Sequence, residues 1–321
     1  MRKESESQIK QKVFLQGPIW LMLIICLFQS CQKSTLFELK SATDTGVDFR
    51  HKLTSHPNQN ILNYIYFYNG GGVGIADFNN DSLPDLIFTT NQNQASLYLN
   101  KGEMTFEKSD LPPLPNGWTN GVALADVNAD GNMDFYLSRV ASDTVPQVHN
   151  ALMINQGVDD NGVPSFKEQS QSYGLDFRGL STQSAFFDYD LDGDLDLYLM
   201  NHSINPNLNY GSGNKRKAVD SLSGDRLYEN QNGKFVDVSA SKGIFQGAIG
   251  YGLGLSVADF NNDGYPDLYI GNDFFENDYL YINQDGKYFE EIIHTQTEAL
   301  GHTTHYSMGN DSGDLNNDGL M

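Results

Sequence analysis

Oxygen-bearing side chains recur at alternate positions in four nine-residue segments of this chain. The segments are Asp77 to Asp85 (DFNNDSLPD), Asp126 to Asp134 (DVNADGNMD), Asp188 to Asp196 (DYDLDGDLD) and Asp259 to Asp267 (DFNNDGYPD); a fifth (DLNNDGLM) begins at Asp314 and meets the end of the sequence before its ninth position. In a curled loop, alternate side chains face inward. Positions 1, 3 and 5 are Asp77, Asn79 and Asp81, then Asp126, Asn128 and Asp130, then Asp188, Asp190 and Asp192, then Asp259, Asn261 and Asp263, then Asp314, Asn316 and Asp318. Position 6 is Gly131, Gly193, Gly264 and Gly319, where a positive φ is tolerated, but Ser82 in the first copy. Position 7 (Leu83, Asn132, Asp194, Tyr265) offers a backbone carbonyl, and position 9 (Asp85, Asp134, Asp196, Asp267) closes the shell. This donor set suits Ca2+, so about four complete sites and a truncated fifth are expected. Asp, Asn and Gly also mark ordinary β-turns, but turns alone do not call for ligand positions in register. The Asp188 loop, with four carboxylates at its side-chain ligand positions, should bind most tightly, and the Asp77 loop, with Ser82, most weakly.

The flanking residues decide what holds these loops. An EF-hand requires a Glu at position 12 and flanking helices, whereas position 12 here is Phe88, Leu137, Leu199 and Ile270, inside the runs LIF, FYL, LYL and LYI. Such runs, and those before the loops (GVGIADF, GVALADV, LSVADF), read as strands. A second apolar run follows (SLYLN, RLYEN, YLYIN), then a polar turn and a run starting at an aromatic (Phe106, Phe235, Phe289). Four strands per unit predict an all-β fold, a β-propeller of four-stranded blades with about 4.5 blades present. The units fall at 71–118, 119–180, 181–248 and 249–304, with a truncated fifth at 305–321. Residues 35–50 repeat the Phe-then-Gly pattern that ends a unit and are expected to be a closing strand for a blade missing from the chain. The insertion Asn201 to Asp225, holding Lys215-Arg216-Lys217, reads as a solvated loop, with a specific binding loop as the alternative.

Residues 1–31 differ in character. Arg2, Lys3, Lys10 and Lys12 precede the apolar run Ile19 to Phe28, too short to span a bilayer, so a signal peptide is expected. Its end, Leu27 to Cys31, resembles a bacterial lipobox, although Phe28 and Gln29 replace the usual smaller residues. Cleavage there would leave Cys31 as a lipidated N-terminus and a membrane anchor. The alternative is a plain secretory signal with an incidental Cys. Cys26 would leave with the signal, and the exported body (32–321) would contain no disulfide. With 41 acidic against 20 basic residues the net charge is −21, a poor match to nucleic acid. The clustered carboxylates should repel without metal, so the loops are expected to order when calcium binds.

The D-x-[DN]-x-D-G-x-x-D loops resemble the FG-GAP/VCBS repeats of integrin α-subunit propellers. Gly46 to His51 (GVDFRH), Asn69 to Gly72 (NGGG), Gly271 to Asn283 (GNDFFENDYLYIN) and Ser307 to Asp311 (SMGND) look like the ASPIC/UnbV, cartilage-acidic-protein-like family over residues 35 to 321. That resemblance implies an extracytoplasmic propeller of seven or eight blades with integrin-like calcium loops and a role in adhesion. The expected partner is an extracellular glycan or protein, at the outer membrane or cell surface. The ASPIC/UnbV segment itself, which usually follows the repeats, is missing from this sequence, and the chain reads as C-terminally incomplete. A calcium-dependent polysaccharide lyase or hydrolase, with His51, His202, His302 or His305 as base, and a passive scaffold are the alternatives. No nucleophile elbow, zinc motif or phosphate loop accompanies those histidines.

Overall fold

The computed structural model describes residues 36–141, 148–204, 206, 213–296, 300 and 303–321. The expected signal peptide and Cys31 lie outside them, as does His302. The chain divides into two compact units, Met1–Ser41 and Ala42–Met321. Of the first, residues 36–41 are described: exposed chain with a Lys40–Glu38 ion pair.

Among its described residues the second unit carries sixteen strands in four antiparallel sheets, each built from four strands consecutive in sequence. The first sheet is β1 (Val73–Ala76), β2 (Asp85–Phe88), β3 (Ser96–Asn100) and β4 (Phe106–Ser109). The second is β5 (Trp118–Ala125), β6 (Asp134–Val140), β7 (Ala151–Val158) and β8 (Pro164–Glu168). The third is β9 (Ser181–Phe187), β10 (Asp196–Asn201), β11 (Arg226–Asn230) and β12 (Phe235–Asp237). The fourth is β13 (Gly252–Ala258), β14 (Asp267–Asn272), β15 (Tyr279–Asn283) and β16 (Phe289–Glu291). The first strands β1, β5, β9 and β13 lie beside one another in that order, which sets the sheets face to face around a common side. The expected all-β architecture of four-stranded blades is what the chain forms.

The apolar runs are continuous because sheets cover both faces of the inner strands. Successive side chains on a strand point to opposite faces. Leu197 and Leu199 accordingly join Tyr136, Leu152 and Ile154 in the core between sheets two and three. Their neighbours Tyr198 and Met200 join Leu268, Ile270 and Tyr281 between sheets three and four. Phe78, Ile87 and Leu97 meet Phe135, Leu137 and Met153 between sheets one and two. The run LYLM is thus buried at every position.

Residues 36–50, read from sequence as a closing strand, contain none. They form a short helix, α1 (Ala42–Thr45), ended by Gly46 at φ +78. A fourth strand takes its ladder from the third strand of its own sheet, and in all four sheets β4, β8, β12 and β16 already fill that place. The Gly half of the expected repeat does appear. A second helix, α2 (Ser170–Tyr173), ends at Gly174 with φ +82, and Gly243 has φ +83.

At the ends of the first strands remote from the Asp loops, residues 51–70 pack aromatic rings over the sheets. Tyr66 stacks on His202 at 4.2 Å between ring centroids, and the Tyr64 hydroxyl meets His202 Nε2 at 2.9 Å. His202 is fully buried, and burial lowers its pKa to about 3. Asp225 is also buried, accepting from Asn201 N and the Tyr198 hydroxyl, and burial pushes its carboxyl up to about 7. The two groups act oppositely on stability. Between pH 6.5 and 3 the unfolded chain protonates its histidine while the folded chain does not, so the His202 contribution is present above about pH 6.5 and is lost on acidification, at about 1.4 kcal/mol per pH unit. Between pH 3.8 and 7 the folded chain instead holds the Asp225 proton that the unfolded chain has released, so that contribution grows on acidification. His202→Gln should therefore change the slope of unfolding free energy against pH by about 1.4 kcal/mol per unit between pH 6 and 4. Parallel slopes for variant and wild type in denaturant titrations would reject the buried neutral imidazole.

Candidate metal centre

Each of the four complete Asp loops joins the first strand of a sheet to the second, so these four sit at the same ends of the four sheets. Their backbones repeat. Oδ1 of the position-1 Asp accepts the position-5 N–H and Oδ2 the position-6 N–H, as in Asp126 with Asp130 N (3.0 Å) and Gly131 N (2.8 Å). Asp77, Asp188, Asp259 and Asp314 do the same. The position-5 carboxylate accepts the position-7 N–H in all five copies. This winding needs two left-handed residues. Position 6 is the expected one, with φ of +86, +99, +94 and +86 at Gly131, Gly193, Gly264 and Gly319, and +68 at Ser82. Position 4 is the second, at Asn80, Ala129, Leu191, Asn262 and Asn317, all between +56 and +59. Asn at position 4 is thus a conformational choice, since Asn tolerates this region better than most residues. Ser82→Gly should stabilise the protein by about 1 kcal/mol, read by denaturant unfolding; no gain would mean that the Ser82 side chain offsets its own strain.

The position-9 carboxylates do more than close a shell. Asp85, Asp134, Asp196 and Asp267 are buried, and each clamps two backbone N–H groups. One belongs to position 2 of its own loop, at 2.9 Å from Phe78, Val127 and Phe260 and 3.2 Å from Tyr189. The other belongs to an Asn of the third strand, its last residue in three sheets and its fifth in the second: Asn100, Asn155, Asn230 or Asn283, at 2.7–2.8 Å. Burial pushes Asp134 up to about 6 and Asp196 to about 7, and raises Asp85 and Asp267; the backbone donors pull back.

Those four Asn residues are an element that the loop pattern alone does not reveal. The side chain of each donates to the position-8 carbonyl and accepts an N–H from the turn into the fourth strand. Asn155 and Asn283 also reach the preceding sheet, donating to Phe78 O (2.9 Å) and Tyr189 O (2.7 Å). Their signal was present in sequence, as the last residue of SLYLN, RLYEN and YLYIN.

The loops differ at position 3. Asn79, Asn128, Asn261 and Asn316 each donate from Nδ2 to the position-5 carboxylate at 2.8–3.0 Å, which partly compensates its charge. Asp190 has no N–H to give. In that loop Asp188, Asp190 and Asp196 bring carboxylate oxygens within 4.8 Å of one another, and Asp190 Oδ1 and Asp194 Oδ1 are buried with no hydrogen-bond partner. Burial, then the neighbouring carboxylates, raise the pKa of both Asp190 and Asp194. Three converging carboxylates, one of them with an orphaned buried oxygen, are the donor set a divalent cation satisfies.

Among the described residues the histidines do not form a comparable centre. His202 is a neutral core group, His305 is exposed, and His51 is half-buried.

Four-stranded antiparallel sheets set face to face, each with an Asp-rich loop between its first and second strands, define a repeat protein of β-propeller type. The chain belongs to the FG-GAP-like repeat family, which matches residues 77–137, 217–270 and 259–321, together just over half of its length. It is similar to a T-cell immunomodulatory protein homolog of Plasmodium yoelii yoelii, 23% identical over 61% of this chain and 33% of that protein. The chain therefore spans about a third of the length of that curated relative. A solved structure from a study of how an Agrocybe aegerita lectin specifically recognises non-reducing terminal N-acetylglucosamine has a TM-score of 0.37 and 16% identity. The match covers 68% of this chain and 50% of that one. Among the described residues no helix is long and apolar enough to cross a membrane.

Proposed function

We propose that this chain is a calcium-stabilised, extracytoplasmic binding module of the ASPIC/UnbV type, presenting loops to a glycan or protein. The observation that carries the calcium reading is the Asp188 loop, where three carboxylates converge and two buried oxygens lack partners. There Asp188, Asp190, Asp192 and Asp196 would hold the ion, with the Asp194 backbone carbonyl. In the other loops Asp77, Asn79, Asp81 and Asp85, then Asp126, Asn128, Asp130 and Asp134, then Asp259, Asn261, Asp263 and Asp267 would do so, with the carbonyls of Leu83, Asn132 and Tyr265. Bound calcium would supply charge neutralisation and a rigid loop.

The position-9 Asp ties each loop to two strands, so ordering the loop also locks the sheet. A clasp of this kind suits compartments where calcium is abundant, and modules outside the cell bind it in the 10⁻⁴–10⁻³ M range. The basic start, the apolar run and Cys31 support export and attachment through an N-terminal lipid. Metabolic labelling with a fatty acid, in wild type and Cys31→Ser, checks the anchor: label in wild type alone supports it, and no label rejects it.

The binding role is checked by retention on immobilised glycans and extracellular proteins, with calcium and with chelator. Calcium-dependent retention supports the module. Product release from a polysaccharide would make it an enzyme, and neither result would reduce it to a scaffold.

A further inference from the structure

One cavity is lined by residues outside the Asp loops and uses a basic segment that the calcium reading leaves idle. It measures about 480 Å3, within the ~300–1,000 Å3 of small-molecule sites. Three separate segments line it: the 3-10 turn Gly213–Lys217 of the insertion, the turn Gly243 to Phe245 after β12, and Tyr288 to Thr295 around β16.

The turn at Gly243 has two counterparts. Gly46, Gly174 and Gly243 all take φ near +80, and a Cβ on any of them would meet a backbone carbonyl at 2.3–2.6 Å: that of Phe106, Phe235 and Phe289. The three turns are therefore one repeated device, docked on the fourth strand of the next sheet. Two residues beyond the glycine stand Asp48, Asp176 and, at the cavity, Phe245. Asp48 accepts the Tyr98 hydroxyl at 2.8 Å. Phe245 instead sets an aromatic ring edge-on to Tyr279, at 5.3 Å between centroids, and lines the cavity. Near the second turn Arg226 lies over Phe177 at 5.0 Å and pairs with Asp237; beside the third, Arg216 is drawn aside.

Arg216 is held in place by a carboxylate. Its guanidinium pairs through Nε and Nη2 with Glu276, which is buried. His294 donates from Nδ1 to buried Glu291 at 2.8 Å, and its Nε2 meets Asn277 Nδ2 at 3.3 Å. Glu291 also accepts the N–H groups of Ile293 and His294. Both buried carboxylates are thus committed, and the guanidinium and imidazole are fixed by their partners. The rim adds Asn214, Lys217, Glu290 and Tyr288, a residue that is 47% exposed. A free anion would face Glu290 and Glu291, and a free cation would face Arg216 and Lys217. What remains is a neutral ligand rich in hydroxyls, with an apolar face for an exposed ring.

We infer that this cavity is a saccharide site that takes a neutral sugar ring, stacked on Tyr288 and hydrogen-bonded by the rim groups Asn214, Lys217 and Glu290. The assignment rests on the reading of the chain as a surface binding module and specifies its ligand class. Full-length protein in millimolar calcium, applied to immobilised neutral and acidic oligosaccharides, should be retained on neutral ones. Tyr288→Ala should weaken that retention about 10-fold or more, the loss of one aromatic contact. Phe245→Asp, which installs the residue found in the other two turns, should weaken it as well, and the melting temperature in calcium should be unchanged for Tyr288→Ala. Undiminished retention by Tyr288→Ala and Asn214→Ala would overturn the site but leave the binding module standing. Retention on acidic sugars alone, or on none, would overturn the ligand class; calcium-dependent capture of an extracellular protein would then still separate that failure from failure of the module.

Discussion

Chelation is expected to lower the melting temperature by more than about 20 °C if all four complete loops bind calcium. At free calcium about 100-fold above Kd, each site adds about 2.7 kcal/mol to stability, and four sites about 11 kcal/mol. For a domain of this size each kcal/mol moves the midpoint by about 2–4 °C. The effect should be unequal. Asn79, Asn128 and Asn261 already donate to the position-5 carboxylates of their loops, whereas Asp190 cannot. Removing Asp190 charge with Asp190→Asn should therefore recover part of the stability lost in chelator, because it supplies the missing donor. In calcium the same change should weaken the tightest site. Calorimetric titration of single-loop variants reads the order, with the Asp188 loop tightest and the Asp77 loop weakest. Equal affinities would reject the ranking, and an unchanged melting temperature in chelator would reject structural calcium.

Asn283→Ala should cost about 4 kcal/mol, measured by denaturant unfolding, without touching any proposed metal ligand. The amide spans three backbone groups: Tyr189 O at 2.7 Å, Pro266 O at 3.1 Å and Gly286 N at 2.9 Å. Alanine leaves all three without their partner in a buried place, at about 1–3 kcal/mol each before relaxation. Asn100 supplies the control. It makes the contacts to Pro84 O and Gly102 N but no bond to a preceding sheet, so Asn100→Ala should cost about 2–3 kcal/mol. Similar losses at both positions would show that the Tyr189 bond between sheets contributes little.

Much of this fold was legible because its cause is local. Alternate Asp and Asn around Gly write a curled loop, and each apolar run writes a strand, through spacings that backbone geometry imposes. The starts of β2, β6, β10 and β14 coincide with the four position-9 aspartates for this reason. The second left-handed residue was harder to see, since Ala129 and Leu191 occupy position 4 without any mark of it in their side chains. The expected closing strand takes no strand form in this chain, because the strand half of the Phe37-to-Gly46 pattern needs a partner sheet, while its Gly half needs only a turn.

By itself, the sequence of this protein determined the repeated loops, their donor types and the four-strand order of each sheet, all properties of residues near one another in the chain. Only the tertiary structure decided which carboxylates are buried and doubly clamped, that Asn155 and Asn283 tie one sheet to the loop of the sheet before, and that Arg216 reaches Glu276 sixty residues away. Burial and long-range pairing depend on which faces meet, and a one-dimensional pattern records the faces without recording their partners.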